Sequence, residues 1–417
     1  MYREVELKQL FACRKILIAG YGREGKSSEA LIRRLLPDAD LTIVEGNDNL
    51  RREASKGYDM IVKSPGIPTM VLEGYCDLNT ITSQTDIFLQ VYGDQTIGIT
   101  GTKGKSTTTN LMASVMREEG RMVVMAGNMG IPLFDVIDQI NEQTVIVCEF
   151  SCHQLENIHR APHVGVVLNL FEEHLDHYHC YRDYQMAKLN IGLKQGKGDY
   201  FYYCSDNKAL KNLVGEMPME SEQQAYSFAK AQRWNDLPRK IQGDHNLCNI
   251  EVVAEIAEKL GVKRENFECA VANFDGLEHR LELVGCYKGI TFYNDSISTI
   301  PAAVIAAVRA LKKVDTLIMG GFDRGIDYQP LADFLNQSEI RNWVFVGKAG
   351  ERIKALVNET GRKILVSNDY DEIVTWCYEV TAKGKICLLS PAAASYDQFK
   401  NFEERGRRFK ELIKQKI

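Results

Sequence analysis

The sequence predicts an α/β protein of three domains, each built on an open parallel sheet. Three observations carry that reading. Short β-branched runs alternate with helical patterns almost to the end of the 417-residue chain, as they do where each strand is followed by a crossover helix. The alternation restarts near Gly93-Asp94 and again near Gly276. The length fits two to three domains at about 150 residues each. Domain boundaries are therefore expected at 1–92, 93–277 and 278–417.

In the first block Lys15-Ile-Leu-Ile-Ala reads as a strand, and a glycine turn leads to a helix from Ser27 to Leu36, stopped by Pro37. Leu41–Val44 and Met60–Val62 are further strands, the latter closed by Ser64-Pro-Gly-Ile-Pro. The second block opens on the strand Thr96–Thr100. The helix after it carries Leu111, Met112, Val115 and Met116 on one face and stops at Gly120. Strands follow at Val145–Val147, Val164–Leu168 and Tyr200–Tyr203, with a helix from Asn246 to Leu260. The third block holds strands at 290–293, 316–319, 343–346, 364–366 and 386–389, and an amphipathic helix from about Gln398 to Lys414 closes the chain.

Composition narrows the function. Lys plus Arg number 51 against 56 Asp plus Glu, a net charge of −5. The basic footprint of a nucleic-acid or anionic-membrane binder is missing. No apolar run approaches the ~18 residues of a membrane span, and the first residues lack the apolar core of a secretory signal. The 11 cysteines are scattered without CxxC pairs, several within apolar runs (Cys148, Cys387), so reduced thiols in a cytoplasmic protein are expected.

Two glycine turns are suited to phosphate. Gly101-Thr-Lys-Gly-Lys-Ser-Thr lies between a strand and a helix, where inward N–H groups and the helix N-terminus hold phosphate oxygens. Lys105 would reach the β/γ-phosphates, and Ser106 or Thr107 would ligate Mg²⁺. The strict P-loop glycine is displaced, Ile99 standing in its place, so this is a shortened variant. The other turn, Gly20-Tyr-Gly-Arg-Glu-Gly25, has Glu45 at the end of the following strand. That is the dinucleotide fingerprint, open to a uridine or adenine diphosphate or to a redox dinucleotide, although no hydride-transfer site accompanies it.

Glu149 ends a strand where a P-loop fold places its metal-facing carboxylate. His174, His177 and His179 crowd behind another strand, where α/β proteins bind ligands. A zinc reading lacks the Cys pair or HExxH that would support it. Lys188, taken alone, reads as a solvated lysine on a helix.

Together, Gly101-Thr-Lys-Gly-Lys-Ser-Thr-Thr, Glu149-Phe-Ser-Cys-His-Gln-Leu-Glu, Asn169-Leu-Phe-Glu-Glu-His-Leu-Asp and Tyr184-Gln-Met-Ala-Lys resemble the Mur ligase family. Gly276-Leu-Glu-His-Arg, Tyr293-Asn-Asp-Ser and the segment from Leu389 to Phe409 resemble its members that join D-glutamate to UDP-N-acetylmuramoyl-L-alanine. The resemblance implies a Rossmann-like N-terminal domain for the uridine nucleotide, a central P-loop ATPase domain and a Rossmann-like C-terminal domain for the amino acid. It implies a cytoplasmic monomer in peptidoglycan synthesis that uses ATP and two Mg²⁺, without nucleic-acid or membrane partners.

By the same resemblance, Gly101 to Thr107 with Lys103 and Lys105 hold ATP phosphates, Arg280 meets them, Asp295 meets the ribose, and Asn246 and Asn249 the adenine side. Ser106, Glu149, His174 and a carbamylated Lys188 hold metal. Lys105, Lys188, His174 and Arg280 form the catalytic set. Gly22, Arg23, Glu45, Gly66, Asn128 and Ser151 line the muramoyl nucleotide's path, and Thr299, Arg324, Ser395, Tyr396 and Phe402 line the acceptor pocket. The implied chemistry passes through an acyl phosphate that the amino acid's amine attacks. One departure stands out: Ile297-Ser-Thr-Ile300 follows Asn294-Asp-Ser where a lysine is usual. It leaves room for a paralogue with another acceptor. A non-catalytic nucleotide-binding regulator is a further alternative, disfavoured because Lys105, Ser106, Glu149, His174 and Lys188 stand together.

Overall fold

Three separate sheets organise the protein. They are seen in a computed structural model that describes residues 1–12, 14–128, 130–173, 177–241 and 243–416. The first sheet has the order β2-β1-β3-β4, from β1 (Ile16–Ala19), β2 (Leu41–Val44), β3 (Met60–Lys63) and the two-residue β4 (Ile81–Thr82), all parallel. The second has the order β10-β9-β8-β5-β7-β6, again wholly parallel. It comprises β5 (Thr96–Thr100), β6 (Met122–Gly127), β7 (Thr144–Glu149), β8 (Val164–Val167), β9 (Tyr200–Cys204) and β10 (Glu222–Tyr226).

The third sheet runs β11-β12-β16-β13-β14-β15, from β11 (Glu282–Tyr287), β12 (Ile290–Asn294), β13 (Val314–Gly320), β14 (Asn342–Val346), β15 (Lys363–Val366) and β16 (Ile386–Leu389). Here β11 pairs antiparallel with β12, and the other pairs are parallel. The sheets group into two compact units. Residues 1–237 with 247–271 contain the first two sheets, and residues 238–246 with 272–417 contain the third. Within the first unit, one apolar core runs continuously from Ile16 and Ile18 of β1 to Ile146 and Cys148 of β7 and Phe201 of β9.

Burial explains why the central strands read clearly. β1, β3, β5, β8, β13, β14 and β16 are buried along their length, as strands covered on both faces must be. The helix Lys105–Glu118 buries Leu111, Met112, Val115 and Met116, the four residues its periodicity points inward. Cys148 and Cys387 have no exposure, and burial pushes both thiols up.

Three expected helix starts move, the least of them that of the Asn246 helix, which begins at Asp244. The helix expected from Ser27 begins at Arg23, because the glycine turn passes directly into it with Gly22 as N-cap. The last helix begins at Phe402 rather than Gln398, since the Asn401 side chain accepts from the N–H of Glu404 at 2.8 Å and sets the cap there. No described helix is long and apolar enough to cross a membrane.

Candidate active site

β5 is the centre from which the second sheet grows: the chain builds β6 and β7 on one side, then crosses to β8, β9 and β10 on the other. Ligands of open α/β sheets bind at such a reversal, beyond the carboxyl ends of the strands. The register sets Ile99 beside Glu149 of β7 and Thr100 beside Val167 of β8. The turn from Gly101 to Gly104 therefore opens between the ends of three strands.

That turn is a built cradle. Gly104 caps the Lys105–Glu118 helix at φ +89°, in the left-handed region that glycine alone enters freely. A Cβ at Gly104 would also stand 3.0 Å from Asn249 Oδ1, so this helical asparagine sits against the loop. Asn169, two residues past β8, staples the turn. Its Oδ1 accepts from the N–H of Thr102 at 3.1 Å and of Lys103 at 2.8 Å, and its Nδ2 donates to the Lys103 carbonyl at 3.0 Å. The Thr102 hydroxyl lies 2.7 Å from that of Tyr184 and accepts from the N–H of Phe171. The first N–H groups of the helix have no partner within it, and they open onto the loop. Ser106 is half-buried and Thr107 buried in that first turn, while Lys103 is exposed and pairs with Glu173 at 2.5 Å.

Two lysines converge beneath the turn. Lys105 Nζ donates to the carbonyls of Gly101 and Thr102, each at 3.0 Å, and Lys188 Nζ donates to the same Gly101 carbonyl at 3.0 Å. Lys188 is 2% exposed, so the reading as a solvated helix lysine is overturned: the helix Tyr181–Leu193 turns this residue into the core. Burial pushes the Lys188 amine down to about 8 and also lowers Lys105, for which the nearby charge of Glu149 partly compensates.

Glu149 is buried at the end of β7. Its Oε1 accepts from Asn128 Nδ2 at 2.7 Å, and its Oε2 is buried with no hydrogen-bond partner. An orphaned carboxylate oxygen beside a phosphate-type loop suits a hard divalent cation, and Mg²⁺ commonly takes only one or two protein ligands, the rest being water and phosphate. Among the described residues there is no cluster of three or more His, Cys, Asp or Glu that would hold a metal by itself. His174 lies outside the described residues. His177 is buried, with Nε2 3.6 Å from Glu156 and its ring 4.0 Å from that of His153, while the more exposed His179 faces Glu73.

The first sheet's turn shows why its glycines are needed. A Cβ at Gly25 would fall 2.2 Å from the Gly20 carbonyl, so helix and turn approach too closely for any side chain. Gly22, Arg23, Glu45 and Gly66 are exposed around the carboxyl ends of β1, β2 and β3. Ser151 caps a short helix (Cys152–Leu155) in a capping box with Gln154, and Gln154 Nε2 reaches Glu24 Oε1 at 2.8 Å. Lys63, buried at the end of β3, donates to the Ile67 carbonyl at 2.8 Å and to Glu156 at 2.9 Å. Asn169, Tyr184 and the Lys63–Glu156 pair were not singled out individually from the sequence. The usable signal for Asn169 was an asparagine two residues beyond a buried strand. For Lys63 it was a lysine ending an apolar run.

In the second unit, Asp295 is buried just past β12, accepting from the N–H of Leu281 at 3.1 Å and from the Ser390 hydroxyl at 2.7 Å. Burial raises its carboxyl to about 6. Arg280 precedes β11 and is half-buried, and Asn246 belongs to this unit whereas Asn249 belongs to the first. Arg324 is exposed, its Nη2 3.4 Å from the Thr299 carbonyl. Ser395 is buried, Tyr396 is 65% exposed, and Phe402 opens the last helix with its ring edge-on to His279. Ile297 is half-buried and Ile300 exposed on the same loop.

Comparison with known proteins fits this arrangement. Residues 99–269 match the Mur ligase middle domain, and residues 279–393 match the Mur ligase glutamate ligase domain. A UDP-N-acetylmuramoylalanine--D-glutamate ligase of Aquifex aeolicus is 32% identical over 96% of this chain and 98% of its own length. One from Ruminiclostridium cellulolyticum is also 32% identical, over 88% of this chain and 85% of its own. Among solved structures, the MurF ligase of Thermotoga maritima in complex with ADP superposes with a TM-score of 0.60 at 15% identity, covering 96% of this chain and 95% of that one. The UDP-N-acetylmuramate-alanine ligase of the same organism gives 0.56 at 15% identity, covering 97% and 100%. With a P-loop variant, a buried lysine beneath it and near-full-length relatives, the chain belongs to the Mur ligase family.

Proposed function

We propose that this protein is an ATP-dependent, ADP-forming ligase that joins D-glutamate to UDP-N-acetylmuramoyl-L-alanine. One observation carries the reading: the Gly101–Gly104 turn, Lys105, Lys188 and Glu149 form a phosphate cradle in a chain related end to end to D-glutamate ligases. The turn and Lys105 bind the ATP phosphates and offset the charge that builds when the nucleotide's carboxylate attacks the γ-phosphate. Glu149, through its unpartnered oxygen, would hold Mg²⁺ together with Ser106, and bound magnesium supplies charge neutralisation for two approaching anions.

The low proton affinity of Lys188 favours its neutral amine, the form that adds CO₂ with loss of one proton to give a carbamate. As a carbamate, Lys188 would exchange a poor metal neighbour for anionic oxygens. Gly22, Arg23, Glu45, Gly66, Asn128 and Ser151 receive the muramoyl nucleotide. Thr299, Arg324, Ser395, Tyr396 and Phe402 receive the acceptor, with Arg324 facing its side-chain carboxylate. The amine then attacks the acyl carbon of the acyl phosphate, and phosphate leaves.

Ile297 and the exposed Ile300 favour a second reading, the same chemistry with a less acidic acceptor. Phosphate release from Mg-ATP decides between them. Release that requires UDP-N-acetylmuramoyl-L-alanine and D-glutamate together supports the first reading. Release with a neutral amino acid instead moves the specificity, and no release with any acceptor removes the ligase reading.

A further inference from the structure

Arg405 is 1% exposed on the last helix, yet no carboxylate lies within ion-pair distance of it among the described residues. A buried cation with no carboxylate in direct contact is tolerated where each of its nitrogens is hydrogen-bonded, and Asp397 acts on Arg405 only through space. Arg405 meets that demand with neutral groups from neighbouring turns. Its Nε donates to Ser296 Oγ at 2.9 Å and its Nη2 to the Ser296 carbonyl at 2.7 Å. Nη2 also donates to the Ala393 carbonyl at 3.1 Å, and Nη1 to that of Ala394 at 3.2 Å. A Cβ on Gly321 would stand 3.2 Å from Nη1, so the Gly321 turn packs against the same guanidinium. The Ser296 hydroxyl passes the link on, donating to the Phe402 carbonyl at 2.8 Å.

These contacts select three turns, those after β12, β16 and β13, which are neighbours at the middle of the third sheet. Each turn leads within a few residues to an acceptor candidate: Ser296 to Thr299, Gly321 to Arg324, Ala393 and Ala394 to Ser395 and Tyr396. Phe402 begins Arg405's own helix. We infer that Arg405 is a positioning residue that holds the acceptor-binding turns in register, through a planar fork that spans backbone groups of separate segments. The inference rests on the D-glutamate ligase reading for what the turns bind. A lysine has three donors on one compact head and cannot span the same set, and misplacement by about 1 Å is enough to cost ~10²-fold in such a site.

The test is Arg405→Lys in the full-length protein, with Ser296→Ala as a milder variant that removes only the hydroxyl contacts. Arg405→Lys is expected to raise KM for D-glutamate about tenfold or more, leaving KM for ATP and for the muramoyl nucleotide within about twofold. Ser296→Ala should shift the D-glutamate KM in the same direction by less. Added guanidinium should restore part of the loss in Arg405→Ala. Equal changes for all three substrates, or no change in Ser296→Ala where Arg405→Lys does not fold, overturn the inference. If the wild-type protein shows no D-glutamate-dependent release, the functional reading fails on its own. Hydrogen exchange then decides the positioning role: faster exchange in the variant at 296–299, 321–324 and 393–396 supports it, and unchanged exchange there overturns it.

Discussion

Lys105 and Lys188 share one acceptor: both Nζ atoms lie 3.0 Å from the carbonyl oxygen of Gly101. Two ammonium groups around one oxygen repel each other, and the more buried one yields. Burial foremost, with the charge of Lys105 adding to it, brings Lys188 down from 10.5 to about 8. The Gly101 carbonyl thus gathers one charged and one readily deprotonated lysine beneath the turn proposed to hold ATP phosphates.

The sign of that shift makes the first prediction. Between about pH 8 and 10.4 the unfolded chain keeps a proton that the folded protein has lost, so stability from this group rises with pH across that window. Below pH 8 the buried, protonated amine costs about 3 kcal/mol. Lys188→Met removes this dependence. In urea titrations the variant's stability relative to wild type is expected to fall between pH 7.5 and pH 10, with ligase activity lost throughout. In labelled bicarbonate near pH 8, a carbamate carbon signal should appear in wild type and be missing in the variant. A flat stability difference would place the lysine in solvent-like surroundings.

Glu149 gives the second. With Oε1 engaged by Asn128 and Oε2 unpartnered, Glu149→Gln keeps the hydrogen bond and removes the negative charge. Half-saturation by Mg²⁺ in the phosphate-release assay should rise at least about tenfold, since charge dominates binding of a hard cation. Binding of Mn²⁺ followed by its paramagnetic resonance should weaken in parallel. Unchanged Mn²⁺ affinity would leave Glu149 a structural partner of Asn128 alone.

Asn169 carries the third. Its side chain makes three hydrogen bonds to the Thr102–Lys103 segment. Asn169→Ala should cost about 2 kcal/mol, at roughly 1 kcal/mol per net bond with part recovered by water. The KM for ATP is expected to rise more than that of the muramoyl nucleotide, because the released turn is the one proposed to hold the ATP phosphates. Equal KM changes for both substrates would assign Asn169 to general packing.

How far the sequence reached follows from what each residue depends on. Buried parallel strands such as β5 and β14 announce themselves as apolar runs because both faces are covered. The edges were harder. β10 reads Glu-Gln-Gln-Ala-Tyr, polar enough to pass for loop, and β11 is an antiparallel addition to a sheet expected to be wholly parallel. In the site, Gly101 to Thr107 and Glu149 were legible from local spacing. Lys188 was not, since its burial comes from a helix packed beneath a loop 87 residues away. Arg405 was hidden for the same reason: its partners are turns scattered across the third sheet.

The last prediction concerns a buried charge the sequence did not flag. Glu156 is held at about 2: burial alone would raise it, but His177 and Lys63 more than reverse that. A carboxyl depressed in the fold adds stability that is fully present above the unfolded value near 4.5 and is lost as pH falls through about 2. Lys63 has almost no exposure and also pins the Ile67 carbonyl, fixing the turn that carries Gly66. Lys63→Met removes the closer partner and leaves Glu156 with His177 at 3.6 Å. The expected cost at pH 7 is about 3–5 kcal/mol, the range for breaking a buried pair from one side. Glu156→Gln in the same protein should restore much of it by removing the stranded charge. A double-mutant cycle by urea denaturation measures the coupling. If the double variant is no more stable than Lys63→Met, the loss belongs to the lysine's packing and its bond to Ile67, and the ion pair contributes little.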